Sequence, residues 1–427
     1  MRHTVHEVKL KNGSRGLFVD IPDASVMTFE FNFRAGEYLV DKPKWETPHL
    51  MEHLLLGANQ LIPKARDFQA EFEKNGAYCN ASTGTYDVIY EAECADFEWE
   101  RIAGLLKAAI AQPLFLEDEF NAEFGNVREE LVGRSNNHFR HLGLALRQAS
   151  GFLALTDQER LELMTNVKLA DIRQHYKKTH STSNLRFVIG GILPSDRRTQ
   201  LEEMLESLPL PKGTGRIDLP RERPINLEHS LYIDNDTVQN LYFSIDTYIP
   251  RKLLTKELDA LQMLSILLTE TYYSRILGSA REQGLIYHIG SGSSQSRSAL
   301  EWSLGGQVSQ DNAEALFDLI SNELSIVKKG GIKSEEVETA KQYALGRYQR
   351  SAQTVAGTTN GYSYRYFFDE VIEDYYKIPE RIEKITKNDT VDVTKELFAR
   401  NIWAMGGLGS CGGDFLEQLR QKVSQLW

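Results

Sequence analysis

What the chain lacks sets its first limits. Its 427 residues include three cysteines, Cys79, Cys94 and Cys411. An odd, sparse set without zinc-ribbon spacing speaks against a disulfide scaffold and fits a reducing compartment. No apolar run approaches the ~18 residues of a membrane-spanning helix, so no membrane partner is expected. The opening Met1-Arg2-His3-Thr4-Val5-His6-Glu7 has no apolar core of a secretory signal, and a cytoplasmic protein is expected. Positive charge is also short. Against 60 Asp and Glu stand 49 Lys and Arg, a net charge of −11, which argues against nucleic acid as the main partner. Histidine is scarcer still, at 10.

What is present describes a soluble globular protein, 41% hydrophobic and 26% charged. The length exceeds one ordinary core, so two or more domains are expected. The negative charge is concentrated: from Asp67 to Glu130 there are 15 acidic residues against 4 basic ones, and the rest is near neutral. Such a stretch is either a set of solvated helix faces or an acidic wall that favours basic peptides.

Two of the few histidines fall in His49-Leu50-Met51-Glu52-His53. On a helix, positions i, i+3 and i+4 share one face, so both imidazoles and the Glu52 carboxylate address one point. Thr47 reads as the N-cap, Pro48 fits the first turn, and Gly57 offers a stop. Two neutral imidazoles beside a carboxylate suit Zn²⁺ with one position open for water, and H-x-x-E-H is the inverted zinc-protease spacing. The plain alternative is a helix end with two satisfied histidines, so the motif needs context.

The context comes from the order of elements. Residues 5–33 read as strands, the last a half-buried one with Met27, Phe29, Phe31 and Phe33 facing in. A helix from near Pro63 carries Phe68 and Phe72. Tyr86 to Glu93 alternate as a strand, entered through Asn80-Ala81-Ser82-Thr83-Gly84, which is either a loop or an open edge that an extended peptide could join. Helices follow over Asp96–Ala111 and from Glu117 to about Ser150, the latter broken near Ser135-Asn136-Asn137. On it Glu123 and Glu130 lie two turns apart on one face, with Glu129 turned about 100° from Glu130. Either Glu129 or Glu130 could face the motif helix.

Asn184 to Gly191 reads as a buried strand. The Pro/Gly cluster Leu208-Pro209-Leu210-Pro211-Lys212-Gly213-Thr214-Gly215, with Pro220 and Pro224, marks a linker at the midpoint. The expected division is 1–208, a linker over 209–224, and 225–427. The second half repeats the first: Thr390 to Gly407 matches Asp171 to Gly191, with Gly406-Gly407 lying 216 residues beyond Gly190-Gly191. At that offset the motif falls on Ser265-Ile266-Leu267-Leu268-Thr269 and Glu130 on Gly346. The chain is expected to be a duplicated α+β unit with its chemistry in one copy.

With these motifs, nearly the whole chain resembles the pitrilysin/insulinase-type zinc peptidases, most closely the short members related to mitochondrial processing peptidase. The resemblance rests on His49-x-x-Glu52-His53, Asn80-Ala81-x-Thr83, the acidic pair 76–77 residues beyond His53, the Asn184–Gly191 strand, and Ser274-Arg275-Ile276-Leu277 followed by Arg281-Glu282-Gln283-Gly284-Leu285-Ile286-Tyr287. It implies one Zn²⁺ per chain held by His49, His53 and Glu130, since the family's paired acids stand as Glu123 and Glu130 do. It implies Glu52 as catalytic base, Glu123 as a supporting carboxylate, substrate on the Asn80-Ala81 edge, and Arg281 and Tyr287 gripping substrate. The implied fold is two homologous α+β halves, one active and one inactive, each an antiparallel sheet flanked by helices. The implied activity is endopeptidase cleavage of peptides or unfolded segments in a closed chamber, completed by a homodimer or by a homologous subunit. Family members without metal residues offer the alternative of a structural or binding subunit. The chain departs from the family in Glu46-Thr47-Pro48, where a glycine-containing lead is usual, in Thr269-Glu270-Thr271-Tyr272-Tyr273, where glycines are usual, and in the Arg281-to-Tyr287 spacing, one residue short.

Overall fold

The computed structural model describes residues 1–373 and 375–427. The chain forms two compact units. Unit 1 comprises Met1–Val132, Glu159–Leu219 and Gln349–Tyr375, and unit 2 comprises Gly133–Gln158, Pro220–Tyr348 and Tyr376–Trp427.

Among the described residues, unit 1 holds a six-stranded sheet of β1 (Thr4–Lys9), β2 (Arg15–Asp20), β3 (Val26–Phe33), β4 (Tyr78–Thr83), β5 (Val88–Ala95) and β6 (Leu185–Gly191), in the order β1-β2-β6-β3-β5-β4. Unit 2 holds five strands, β7 (Leu231–Asp234), β8 (Leu241–Ile249), β9 (Ile289–Gln295), β10 (Leu300–Val308) and β11 (Trp403–Gly409), in the order β7-β11-β8-β10-β9. The sheets are not purely antiparallel as the resemblance implied. Each contains one parallel pair, β2 with β6 and β7 with β11. Both pairs join strands far apart in sequence, and the long helical connection between them makes a parallel crossover possible.

The helices α1 (Thr47–Leu55), α2 (Ala65–Glu73) and α3 (Trp99–Ala111) cover one face of the first sheet. Phe29, Phe31 and Phe33 form a core there with Leu50, Leu54, Phe68, Phe72, Ile102 and Leu106. Each such side chain, fully buried, contributes roughly 1.5–3 kcal/mol. The other helices that matter below are α4 (Glu117–Ser135) and α5 (His138–Ala149), separated at the expected break, where Asn137 caps α5 by accepting from the Arg140 amide.

One expectation for β3 fails. The strand is buried on both faces, with Thr28, Glu30 and Asn32 enclosed as fully as the phenylalanines. The cause is the helix Val355–Asp369, which reaches unit 1 from late in the chain and packs on β3 and β6. Thr28 Oγ1 and Thr359 Oγ1 stand 3.3 Å apart, and Ser363 donates to Glu30 at 2.8 Å. The helix can come that close because Gly190 has no side chain: a Cβ there would overlap the Thr359 methyl. Unit 2 repeats the device. Its strands β8 and β11 receive α5, and a Cβ on Gly406 would press on Leu142. Residue 349 lies 216 beyond residue 133, so the two out-of-order segments start at equivalent places in the duplication.

Among the described residues, no helix is long and apolar enough to cross a membrane.

Burial lifts the Glu30 carboxyl to about 7, against the Ser363 hydrogen bond and with the help of Glu91 directly across the strand pair. The folded chain therefore holds a proton there that the unfolded chain releases from about 4.5 upward, and this site loses stability as pH rises through that window. Glu30→Gln removes the loss, by up to about 3 kcal/mol at pH 8 and by little near pH 4.5. Melting temperatures of the two proteins at both pH values check this. An equal shift at both would show that Glu30 does not titrate in the window.

Candidate metal centre

The site is built on α1. Its N-cap position is Glu46, one residue earlier than expected, so Thr47 lies inside the helix and Pro48 sits in the first turn. The helix ends at Leu55, and the Gly57 amide closes back on the Leu54 carbonyl at 3.2 Å. Gly57 serves a second purpose. A Cβ there would overlap Oε1 of Glu119, which accepts from the Ala58 amide at 2.8 Å. That contact pins the start of α4 to the end of α1, and α4 then runs past the motif carrying Glu123 and Glu130.

The donor atoms of His49, Glu52 and His53 lie within 4.8 Å of one another. Oε2 of Glu130 is 3.4 Å from His49 Nε2 and 3.6 Å from His53 Nε2. Ligands 2.0–2.1 Å from a tetrahedral zinc stand roughly 3.3–3.4 Å from one another. One Glu130 separation matches that value and the other exceeds it by about 0.2 Å, and the donor set of two imidazoles and a carboxylate suits zinc. Glu129 is exposed, while Glu130 is half-buried and lies within reach of both imidazoles.

The far nitrogens are also engaged. His53 Nδ1 lies 2.9 Å from Oε2 of Glu123, and His49 Nδ1 lies 3.0 Å from Oε2 of Glu46. A carboxylate on Nδ1 keeps the proton there and leaves Nε2 to face an ion. Glu52 is buried, and its Oε2 accepts from the Thr83 hydroxyl at 3.1 Å. Thr83 is the last residue of β4, an edge strand of the first sheet. Asn80 and Ala81 lie on the same strand: Ala81 is buried, and Asn80 is exposed and donates to Glu91 at 3.2 Å. In unit 2, Arg281 Nη1 donates to the Tyr287 carbonyl at 2.6 Å, and its guanidinium lies 4.9 Å from the Tyr287 ring and 5.1 Å from that of Tyr272.

Glu46, Arg160 and Glu37 were not singled out as functional from the sequence, and Thr83 was singled out only as part of the Asn80-Ala81-x-Thr83 motif. Arg160 grips Glu46 at 2.5 and 3.0 Å and reaches Glu37 at 3.2 Å. Glu46 had a visible signal, since it stands one turn before His49 on the same face. Arg160 had none, being 114 residues away.

Electrostatics follow from these contacts. Burial opposes ionisation of Glu46, but hydrogen bonds from His49 and Arg160 outweigh it and hold its pKa at about 2. Burial opposes protonation of His53, yet Glu123 and Glu130 lift it to about 10, and Glu130 and Glu46 raise His49 in the same way. Burial raises Glu52 above the usual carboxylate range, against the pull of both histidines.

The comparisons agree with this arrangement. Residues 47–152 match the family model described as insulinase (peptidase family M16), and residues 166–343 match the peptidase M16 inactive domain. The chain belongs to the M16 peptidase family. An uncharacterized zinc protease of Rickettsia bellii is 20% identical to it, over 93% of this chain and 96% of that protein. A non-peptidase homologue from Helicobacter pylori, YmxG, is 25% identical over 79% of this chain and 78% of its own. Among solved structures, a Helicobacter pylori protease superposes with a TM-score of 0.80 at 20% identity, covering 95% of this chain and all of its own. An M16 inactive domain from Pseudomonas fluorescens gives 0.80 at 14% identity, covering 96% and 98%. In this M16 chain the candidate metal group falls within the segment matching the insulinase model.

Two outcomes are expected in zinc titrations. Glu130→Gln should weaken binding far more than Glu129→Gln, and the reverse ranking would move the ligand. Apparent affinity should rise with pH between 6 and 8, by about tenfold per unit for each histidine proton displaced. An affinity flat across that range would mean that the histidines are not the ligands.

Proposed function

We propose that this M16-family chain is a zinc-dependent endopeptidase acting on peptides or unfolded segments. The observation that carries the reading is the convergence of His49 Nε2, His53 Nε2 and Glu130 Oε2 beside the buried carboxylate of Glu52. Zinc held by His49, His53 and Glu130, one ion per chain, would polarise the scissile carbonyl and make an attacking water acidic. Glu52 would take the proton from that water and return it to the leaving amine, a task for which its raised pKa suits it. Thr83 aims Glu52, and Glu123 orients His53. Substrate would join β4 as a further strand, held through backbone bonds beside Asn80 and Ala81. A cavity of about 220 Å³ borders that strand, and the Glu91 and Glu93 carboxylates in its lining support a preference for basic side chains. Arg281 and Tyr287 would grip substrate, and a homodimer or a homologous subunit would complete a closed chamber.

The second reading, a binding subunit without peptidase activity, is favoured by the relative named as a non-peptidase homologue. The retained base and ligands favour the enzyme. Metal analysis and cleavage of a quenched peptide library separate the two. Glu52→Gln should keep its zinc and lose activity by several orders of magnitude. Wild-type protein with zinc bound that cleaves no peptide would establish the second reading.

A further inference from the structure

Behind His49 lies a set of buried charges that the proposed mechanism leaves unused. Glu46 has no exposed surface, and Arg160 beside it is nearly as enclosed. The Glu46 carboxylate accepts three hydrogen bonds at once. Arg160 Nε reaches Oε1 at 2.5 Å, Arg160 Nη2 reaches Oε2 at 3.0 Å, and His49 Nδ1 reaches Oε2 at 3.0 Å. Burying two charges costs several kcal/mol per ion unless their bonding capacity is filled. A staple between α1 and the helix Asp157–Met164 would need only the arginine and one carboxylate. Nothing in a staple requires that the same oxygen also face an imidazole.

We infer that Glu46 is the positioning residue for His49, and that Arg160 holds it in place. Glu46 keeps the His49 proton on Nδ1 and so turns Nε2 toward Glu130. Arg160 engages both oxygens, which fixes the carboxylate plane and keeps either oxygen from becoming a competing ligand. The two histidines are thereby served from different elements: His53 by Glu123 on α4, and His49 by Glu46 on its own helix. The inference rests on the reading of His49 as a zinc ligand.

The test uses the full-length protein, stripped of metal and titrated with zinc against a competing chelator and with cobalt for its visible spectrum. Glu46→Ala should weaken zinc binding about 10–100-fold and shift the cobalt bands, because the ring is free to turn. Glu46→Asp should recover part of the loss, and Arg160→Lys should lose less than Glu46→Ala. A purely structural role would lower the melting temperature of the metal-free variant and leave zinc affinity and cobalt bands as in the wild type, and that result would overturn the inference. If Glu46→Ala does not fold, the wild type still decides. The nitrogen-15 spectrum of its histidines, loaded with zinc, should show the His49 proton on Nδ1, and a proton on Nε2 would overturn the inference. Wild-type protein that takes up neither metal would overturn the zinc reading itself, and this inference with it.

Discussion

The need to compensate buried charge governs the architecture of the helix that carries the candidate metal group. His49 and Glu52 are buried on a helix of nine residues, and Glu46 is buried at its N-cap. Isolated, any of them would be neutralised or expelled. Each is instead answered: Glu46 by Arg160 and His49, Glu52 by Thr83 and the field of both histidines, and the histidines by Glu46, Glu123 and Glu130. Beyond α1 and its N-cap, these partners come from an edge strand, α4 and the helix Asp157–Met164. The site therefore exists only when those elements have closed on α1. The same closure gives the site its rigidity, because few of its side chains can move without stranding a partner.

The contact between Glu119 and the Ala58 amide shows how a small feature sets the larger geometry. It fixes where α4 begins relative to the end of α1, and from that start Glu123 and Glu130 follow at one and three helical turns. A side chain at position 57 would displace the Glu119 carboxylate from the Ala58 amide. The contact thus depends on a glycine that contributes no functional group of its own.

Much of this was legible in the sequence, for identifiable reasons. The strands and helices of the first half showed because their apolar residues recur with the periods of exposed-and-buried elements. The motif showed because helical spacing alone places His49, Glu52 and His53 together. Which of Glu129 and Glu130 lies near the imidazoles could not be read without knowing how α4 is rotated, and that rotation depends on packing contacts such as those of Leu131. The burial of Thr28, Glu30 and Asn32 was hidden because amphipathic helices reveal which face is covered but not which sheet covers it. Arg160 was hidden for the same reason: pairing across 114 residues leaves no trace in local spacing. In the Gly190-Gly191 and Gly406-Gly407 pairs, which first revealed the duplication, the first glycine of each admits the close approach of a helix from elsewhere in the chain.

That borrowing has a consequence for how the molecule comes into being. During synthesis the first sheet emerges with one face bare, and the helix that covers it is specified some 160 residues after β6. The ribosome must deliver most of the second sheet before the first can be finished, so N-terminal unit folding cannot run to completion on its own. A gene cut at the proline-rich midpoint would yield two fragments, each lacking a helix that the other encodes. Each copy thus contributes a helix to the sheet of the other, and either half expressed alone would leave a sheet face exposed. The second copy, in which no candidate metal group lies among the described residues, still supplies the wall behind the first sheet.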